Sequence, residues 1–381
     1  MPADKDSNDS PRSLAIKEAD AATPAFCAEQ YEERWPQVVR ALGNYDFRMF
    51  WGGNFLSNIG TWMQNVAQSW LVLTLTANSA FWLGVVSFAG SIPFLLFTLF
   101  GGVVADRVDK RRLLLVTQSI MMVLAFILAT LTWFKVITVW ELVVLSFLNG
   151  MAMAMNAPSY QALVPRLVPR KDLTNAIALN STQFNLSRIL GPTLGGYAMA
   201  LFGMAGNFYL NGLSFLAVLW ALTRIRYPAD KEREHPGLFD SLREGFTYLR
   251  GEPQMYVLVW MTAVTSFLVI PFITFIPFFA RMQLNVGETG LGWLLAASGF
   301  GSVTGAITVA AFGVIRHRGR VVVIAGLFFF SAIIGFCYSQ VFALSAFFAL
   351  IEGFSGLLMI SCFNIAIQHL SSDEMRGRVM S

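Results

Sequence analysis

Two ionisable side chains lie where apolar surroundings make a charge costly. Arg188 sits near the middle of an apolar run from Leu173 to Leu201. Glu352 sits near the middle of another, from Val341 to Gln368, and is the only carboxylate deep in any such run. Facing lipid, a charge at that depth costs ~2.5–3.5 kcal/mol on insertion scales, so both are expected to face protein or a water-filled cavity. An arginine so placed can anchor an anionic or hydrogen-bonding solute; the plain alternative is a structural arginine held by carbonyls or amides. A carboxylate so placed can load and release a proton; the plain alternatives are a permanent ion pair and a permanently neutral acid. The two fall at similar depths, and a pair between them would weaken a proton-carrying role.

Amides form a second pattern. Asn54, Asn58, Thr61, Asn65 and Gln68 follow one another at intervals of four, three, four and three, which is one face of a helix. Amides in hydrocarbon need partners, so the stripe marks either a neighbouring helix or a solute path. Asn54, Asn58 and Asn65 are the binding candidates here, with Asn149 and Asn156, on one face of a later run, as weaker ones. The glycine sets Gly191–Gly195 and Gly299–Gly301–Gly305 read as helix contacts. Pro271 and Pro277 free backbone carbonyls and predict a packing bend rather than a gate. His235, His317 and His369 are scattered, and Cys27, Cys337 and Cys362 have neither disulfide nor zinc spacing. With no nucleotide loop, metal cluster or nucleophile triad, the chain reads as no enzyme, without cofactor or metal.

These residues need long helices to hold them. The sequence supplies ten apolar runs, each with the ~20 residues that cross a bilayer core: 47–75, 81–104, 113–134, 139–161, 173–201, 204–223, 255–280, 290–313, 321–338 and 341–368. Every second gap between them is basic: Arg107, Lys110, Arg111 and Arg112; Arg166, Arg170 and Lys171; a set from Arg224 to Arg250; then Arg316, Arg318 and Arg320. Of the 27 Lys and Arg residues, only Lys135, Arg281 and Arg188 fall elsewhere than these gaps and the two ends. Short basic loops resist translocation, which predicts both termini in the cytoplasm and a multi-pass protein of the inner (plasma) membrane. The composition, 55% hydrophobic and 13% charged, excludes an ordinary soluble domain. Because the basic residues are dispersed, they read as topology and contact with anionic lipid headgroups of the bilayer, not as a nucleic-acid surface.

Residues 1–46 form a polar tail without a cleavable signal; its beginning reads as disordered and Glu29 to Leu42 as a short surface helix. A first six-helix bundle then covers 47–226, a linker 227–253, and a second bundle of four spans 254–381. Leu238, Leu242, Phe246 and Leu249 give the linker an amphipathic helix on the inner leaflet. Ser146-Phe-Leu-Asn149-Gly150 recurs as Ala349-Leu-Ile-Glu352-Gly353, and aligning the halves on that repeat predicts a six-plus-six architecture whose last two helices are missing.

The stretch Gly102-Val-Val-Ala-Asp106-Arg107-Val-Asp-Lys110-Arg111-Arg112 resembles the loop signature of the major facilitator superfamily. Asp46-Phe-Arg, Gly60-Thr-Trp-Met-Gln, Asn156-Ala-Pro158, Asn175-Ala-Ile-Ala-Leu-Asn180-Ser, Gly191-Pro192-Thr-Leu-Gly195-Gly196 and Arg376-Gly-Arg378-Val-Met-Ser381 are similar to its branch of enterobactin exporters and macrolide efflux proteins. The resemblance implies an all-α polytopic membrane protein in which two bundles line one central cavity. It implies gating roles for Gly102, Asp106, Arg107, Arg111, Gly191 and Pro192, with an inner latch closing partly on an eleventh helix. Three positions depart from the pattern. The second loop copy, Arg316-His-Arg-Gly-Arg320, lacks its acidic residue; Ser146 stands where many drug–proton antiporters carry an arginine; and Gln183 replaces an expected glycine. Taken together, the expectation is a secondary exporter of a small amphiphilic solute of the siderophore or drug class, with Arg188 binding substrate and Glu352 coupling protons. An importer or uniporter of the same fold, and a truncated, transport-inactive membrane protein, are the alternatives.

Overall fold

The structure is a computed structural model in which the described residues are 36–225, 253–312 and 318–370, less some side chains, notably those of 99–107 and 266–271. The tail before residue 36, the linker with its amphipathic helix, His235, the loop carrying Arg316 and His317, and the C-terminal Arg376 motif lie outside the described residues.

Helices follow the apolar runs: α1 (Tyr45–Leu75), α2 (Ala80–Arg107), α3 (Lys110–Trp133), α4 (Val139–Leu163), α5 (Leu173–Arg224), α6 (Pro253–Met282), α7 (Glu288–Phe312), α8 (Arg318–Tyr338) and α9 (Phe342–Leu370). No strand occurs among the described residues. Polar side chains set where helices begin. The Asn44 carboxamide accepts from the backbone N–H of Asp46 at 3.1 Å and Phe47 at 3.3 Å. Asp109 accepts from Arg112 N–H at 2.7 Å, and Thr138 with Glu141 forms a capping box before α4. In place of the expected surface helix up to Leu42, Gln37–Gly43 is a 3-10 segment with a non-helical Val39.

The fifth and sixth expected spans are both present and follow each other directly within α5. Gly203, with non-helical φ 70° and ψ 177°, breaks the helix and turns the chain, so α5 consists of two helical arms that correspond to the two expected spans. Among the described residues, seven elements, α5 among them, are long and apolar enough by composition to cross a membrane. The amide stripe keeps α1 out of that set, and α6 is described only in part.

Two groups of helices emerge. In the first, α1 packs along α5, α2 along α4, and α3 against both α4 and α5; in the second, α9 packs on α7 and α8. Between the groups the main contact is α5 on α7, with smaller ones from α6 to α1 and α2. One end of the molecule, the hairpin end, carries the tight turns at Ala77–Asn78, Lys135 and Asn285, all at positive φ. Its core is shared: Val66, Trp70 and Leu73 of α1, Leu83 of α2 and Phe208 of α5 belong to the same cluster as Ile276, Leu291, Leu294 and Phe336. At the opposite, basic end each group has a separate core among the described residues: Phe47, Phe50, Leu163, Phe215 and Leu222 in the first, Ala325, Phe329, Met359 and Phe363 in the second.

Candidate functional site

Glycine sets the position of α5. A Cβ on Gly191 would collide with Trp62 and Ile59 of α1, and one on Gly195 would sit 3.0 Å from the Met63 Cα. On the adjoining face, a Cβ on Gly196 would lie 2.7 Å from the Glu288 carbonyl, one on Gly292 2.8 Å from the Pro192 carbonyl, and one on Gly299 3.3 Å from the Arg188 carbonyl. The first arm of α5 is therefore wedged backbone-to-backbone between α1 and α7. Arg188 and Pro192, one turn apart, are left to line the space between the groups.

That space is a cavity of about 730 Å³ bordered by α1, α2, α4, α5, α6 and α7. Trp62, Phe88, Phe94, Leu95 and Ile273 give it an apolar wall; Asn65, Gln68, Ser87, Ser91, Asn149, Arg188 and Ser298 give it polar groups. Gln68 donates to Ser146 Oγ at 2.7 Å, and Ser146 donates in turn to the Leu142 carbonyl at 2.7 Å. The guanidinium of Arg188 has no hydrogen bond or ion pair with any described residue; its electrostatic partner is Glu352. Glu352 does not line the cavity. It is 2% exposed and accepts from Ser298 Oγ at 2.8 Å, and Ser298 is on the cavity wall. Gly353, whose absent side chain lets α9 lie against the Ser298 backbone, holds that pair in register.

The expected binding residues are distributed between the cavity and the packing around it. Asn65, Asn149, Arg188 and Pro192 line the cavity. Asn54 donates to the Tyr160 hydroxyl at 3.1 Å, and Tyr160 bonds onward to Asn180. Asn156 accepts from Thr117 Oγ1 and Gln118 Nε2, both at 3.2 Å. Asn54 and Asn156 thus tie helices of the first group together, and Asn58 is half-buried on α1 outside the cavity lining. Arg111 caps the end of α5, donating to the Leu222 and Thr223 carbonyls at 2.5 and 2.7 Å. Gly102, Asp106 and Arg107 close α2, and their side chains, like that of Pro271, are outside the described set. Pro277 lines the cavity. Sequence reasoning missed Ser298 as well as Ser87 and Ser91. A single serine in an apolar helix carries no spacing signal, although the Glu352–Gly353 repeat marks the helix it faces.

At the hairpin end the two groups also meet through a polar contact. Arg281 of α6 donates to Thr74 Oγ1 at 2.9 Å and stands 5.1 Å over the Trp70 ring, both on α1.

Comparison with known proteins places this geometry. Residues 39–381 match the profile of a family described as transmembrane secretion effector. The staphyloferrin A transporter of Staphylococcus aureus is 31% identical over 195 residues, a match that takes in 50% of this chain and 49% of that protein. The chain thus spans about half the length of that relative. Macrolide efflux protein A of Streptococcus pyogenes is 21% identical over 75% of this chain and 71% of its own length. Among solved structures, a bacterial homologue of the human lysosomal transporter Spinster, inward-facing and occupied, superposes with TM-score 0.67 at 15% identity. It covers 88% of this chain and 77% of that one. At that identity the likeness is one of fold.

Proposed function

The chain belongs to the transmembrane secretion effector family of the major facilitator superfamily, and from that premise we propose that it exports a small amphiphilic solute by alternating access, driven by a proton gradient. The observation that carries this reading is the guanidinium of Arg188, without a hydrogen bond to any described residue, on the wall of a largely apolar cavity. A guanidinium that meets Glu352 through space but donates no hydrogen bond to a described residue is stabilised further by an incoming anion, and the aromatic wall suits an apolar body. A carboxylate-bearing solute of the siderophore or drug class fits both features, and the relatives named for staphyloferrin A and macrolides are consistent with it. Glu352 is the proton carrier in this reading, held in the second group beside the cavity.

The basic end faces the cytoplasm, following the distribution of Lys and Arg. With the hairpin end closed by a shared core and, among the described residues, separate cores at the basic end, solute enters from the cytoplasmic side in this reading. Export then requires the hairpin end to part and the basic end to close.

Everted vesicles carrying the protein, with an imposed pH gradient, test the proposal against a panel of carboxylate siderophores and macrolides. Gradient-dependent accumulation is expected, with Arg188→Ala abolishing it at normal membrane insertion and Glu352→Gln removing its dependence on the gradient. Normal accumulation by a well-inserted Arg188→Ala protein would refute the anchor. Uptake in right-side-out vesicles alone, or transport indifferent to the gradient, would identify an importer or a uniporter instead.

A further inference from the structure

We propose that Ser298 is the port through which Glu352 exchanges its proton with the cavity, an inference that rests on the reading of Glu352 as the proton carrier. Glu352 is buried in the middle of α9 and away from the cavity surface. Its side-chain hydrogen bond goes to Ser298 Oγ at 2.8 Å, and Ser298 is a cavity-lining residue of α7. The backbones of α7 and α9 meet at this point, where Gly301 and Gly353 leave no room for a Cβ. Little space remains for water to reach the carboxyl group around the serine.

The helices packed on α9 are α6, α7 and α8. Their described ionisable groups, Tyr256 and Arg281 of α6, Glu288 of α7, and Arg320, Cys337 and Tyr338 of α8, stand near the ends of those helices. Arg188, reaching from α5, is the one charged group that acts on Glu352 among the described residues.

Exchange through the hydroxyl is balanced. In release, the Glu352 acid gives its proton to Ser298 Oγ while Ser298 gives its own hydroxyl proton to a cavity water. Loading is the reverse, and the serine is unchanged after each transfer. A hydroxyl can serve because it donates and accepts at once; an alanine can do neither.

Infrared difference spectroscopy of the full chain in liposomes, switched from light to heavy water, tests this. The carboxylic acid band lost in Glu352→Gln is assigned to Glu352, and its deuteration rate reports proton access. Ser298→Ala should slow that rate about tenfold or more, the kinetic equivalent of one hydrogen-bond step, whereas Ser298→Thr, which keeps the hydroxyl, should exchange like the parent. Unchanged exchange in Ser298→Ala, or equal slowing in both variants, would overturn the port and leave Glu352 as carrier. If Glu352→Gln removes no exchanging band, the carrier reading itself fails, and the port with it.

Discussion

The hairpin end and the basic end are held together by different chemistry. At the hairpin end the contacts between the two groups among the described residues include apolar side chains, glycine-backed helix faces and the polar contact of Arg281 with Trp70 and Thr74. At the basic end, polar contacts among the described residues tie the first group together. Arg40 pairs with Asp172 at 2.5 Å, the Ala41 N–H donates to Asn175 at 2.9 Å, and Arg111 caps α5. Dispersion and apolar burial are non-directional, so surfaces joined by them can part and rejoin without leaving buried donors unpaired. Directional hydrogen bonds and ion pairs penalise any displacement. In the proposed transport cycle, the end that opens is therefore closed mainly by packing, and the group that moves as a body is tied by polar bonds.

The largest effect on this contrast is expected from Gly196→Leu. A Cβ there already meets the Glu288 carbonyl and Thr289 Cα, at 2.7 and 3.2 Å. Overpacking of this kind costs about 1–3 kcal/mol, enough to shift an equilibrium between open and closed hairpin ends about tenfold or more. With Cys27, Cys337 and Cys362 replaced by alanine, Asn65→Cys in the cavity reports access to an impermeant maleimide. Labelling should move from the basic side to the hairpin side, and labelling unchanged from the parent would show that α5 and α7 need not touch for closure.

Arg40→Ala should come next, and through stability rather than access. Asp172 is 1% exposed and Arg40 41%, so truncating the arginine leaves a buried carboxylate without its guanidinium. A loss of about 1–2 kcal/mol is expected, between the values for exposed and buried pairs, read as a lower thermal midpoint in detergent. Asp172→Ala, which removes both the pair and the stranded charge, should lose less. The reverse ranking would mean that Asp172 has a second strong partner.

Arg281→Ala should do least. Losing a cation–π contact of about 0.5–1 kcal/mol together with one hydrogen bond at the surface should raise hairpin-side labelling of Asn65→Cys about three- to fivefold. Arg281→Lys, which keeps the charge over Trp70, should fall between. A labelling change as large as that of Gly196→Leu would make the polar contact, and not packing, the lock.

The sequence is informative where one residue has one physical option. Arg188 and Glu352 were legible because a charge in an apolar run must find protein or water. The amide stripe was less informative. Asn54 and Gln68 share a face but are fourteen positions apart, about 21 Å along a helix, so one end reaches Tyr160 and the other the cavity. Periodicity identifies a face; it does not say what lies opposite each turn of it. Ser298 was invisible for a related reason, since its role depends on where α9 crosses α7 rather than on anything in its neighbourhood in the chain.

The bend at Gly203 bears on how the chain is made. The two arms of α5 meet with no hydrophilic loop between them, so almost nothing polar has to be pulled through hydrocarbon when that pair enters the membrane, and it can partition from the translocation channel as one helical hairpin. Only glycine takes φ 70° there without strain, and Gly203→Val would accordingly be felt during biogenesis, as a lower yield of inserted protein, before any finished molecule had a solute to carry.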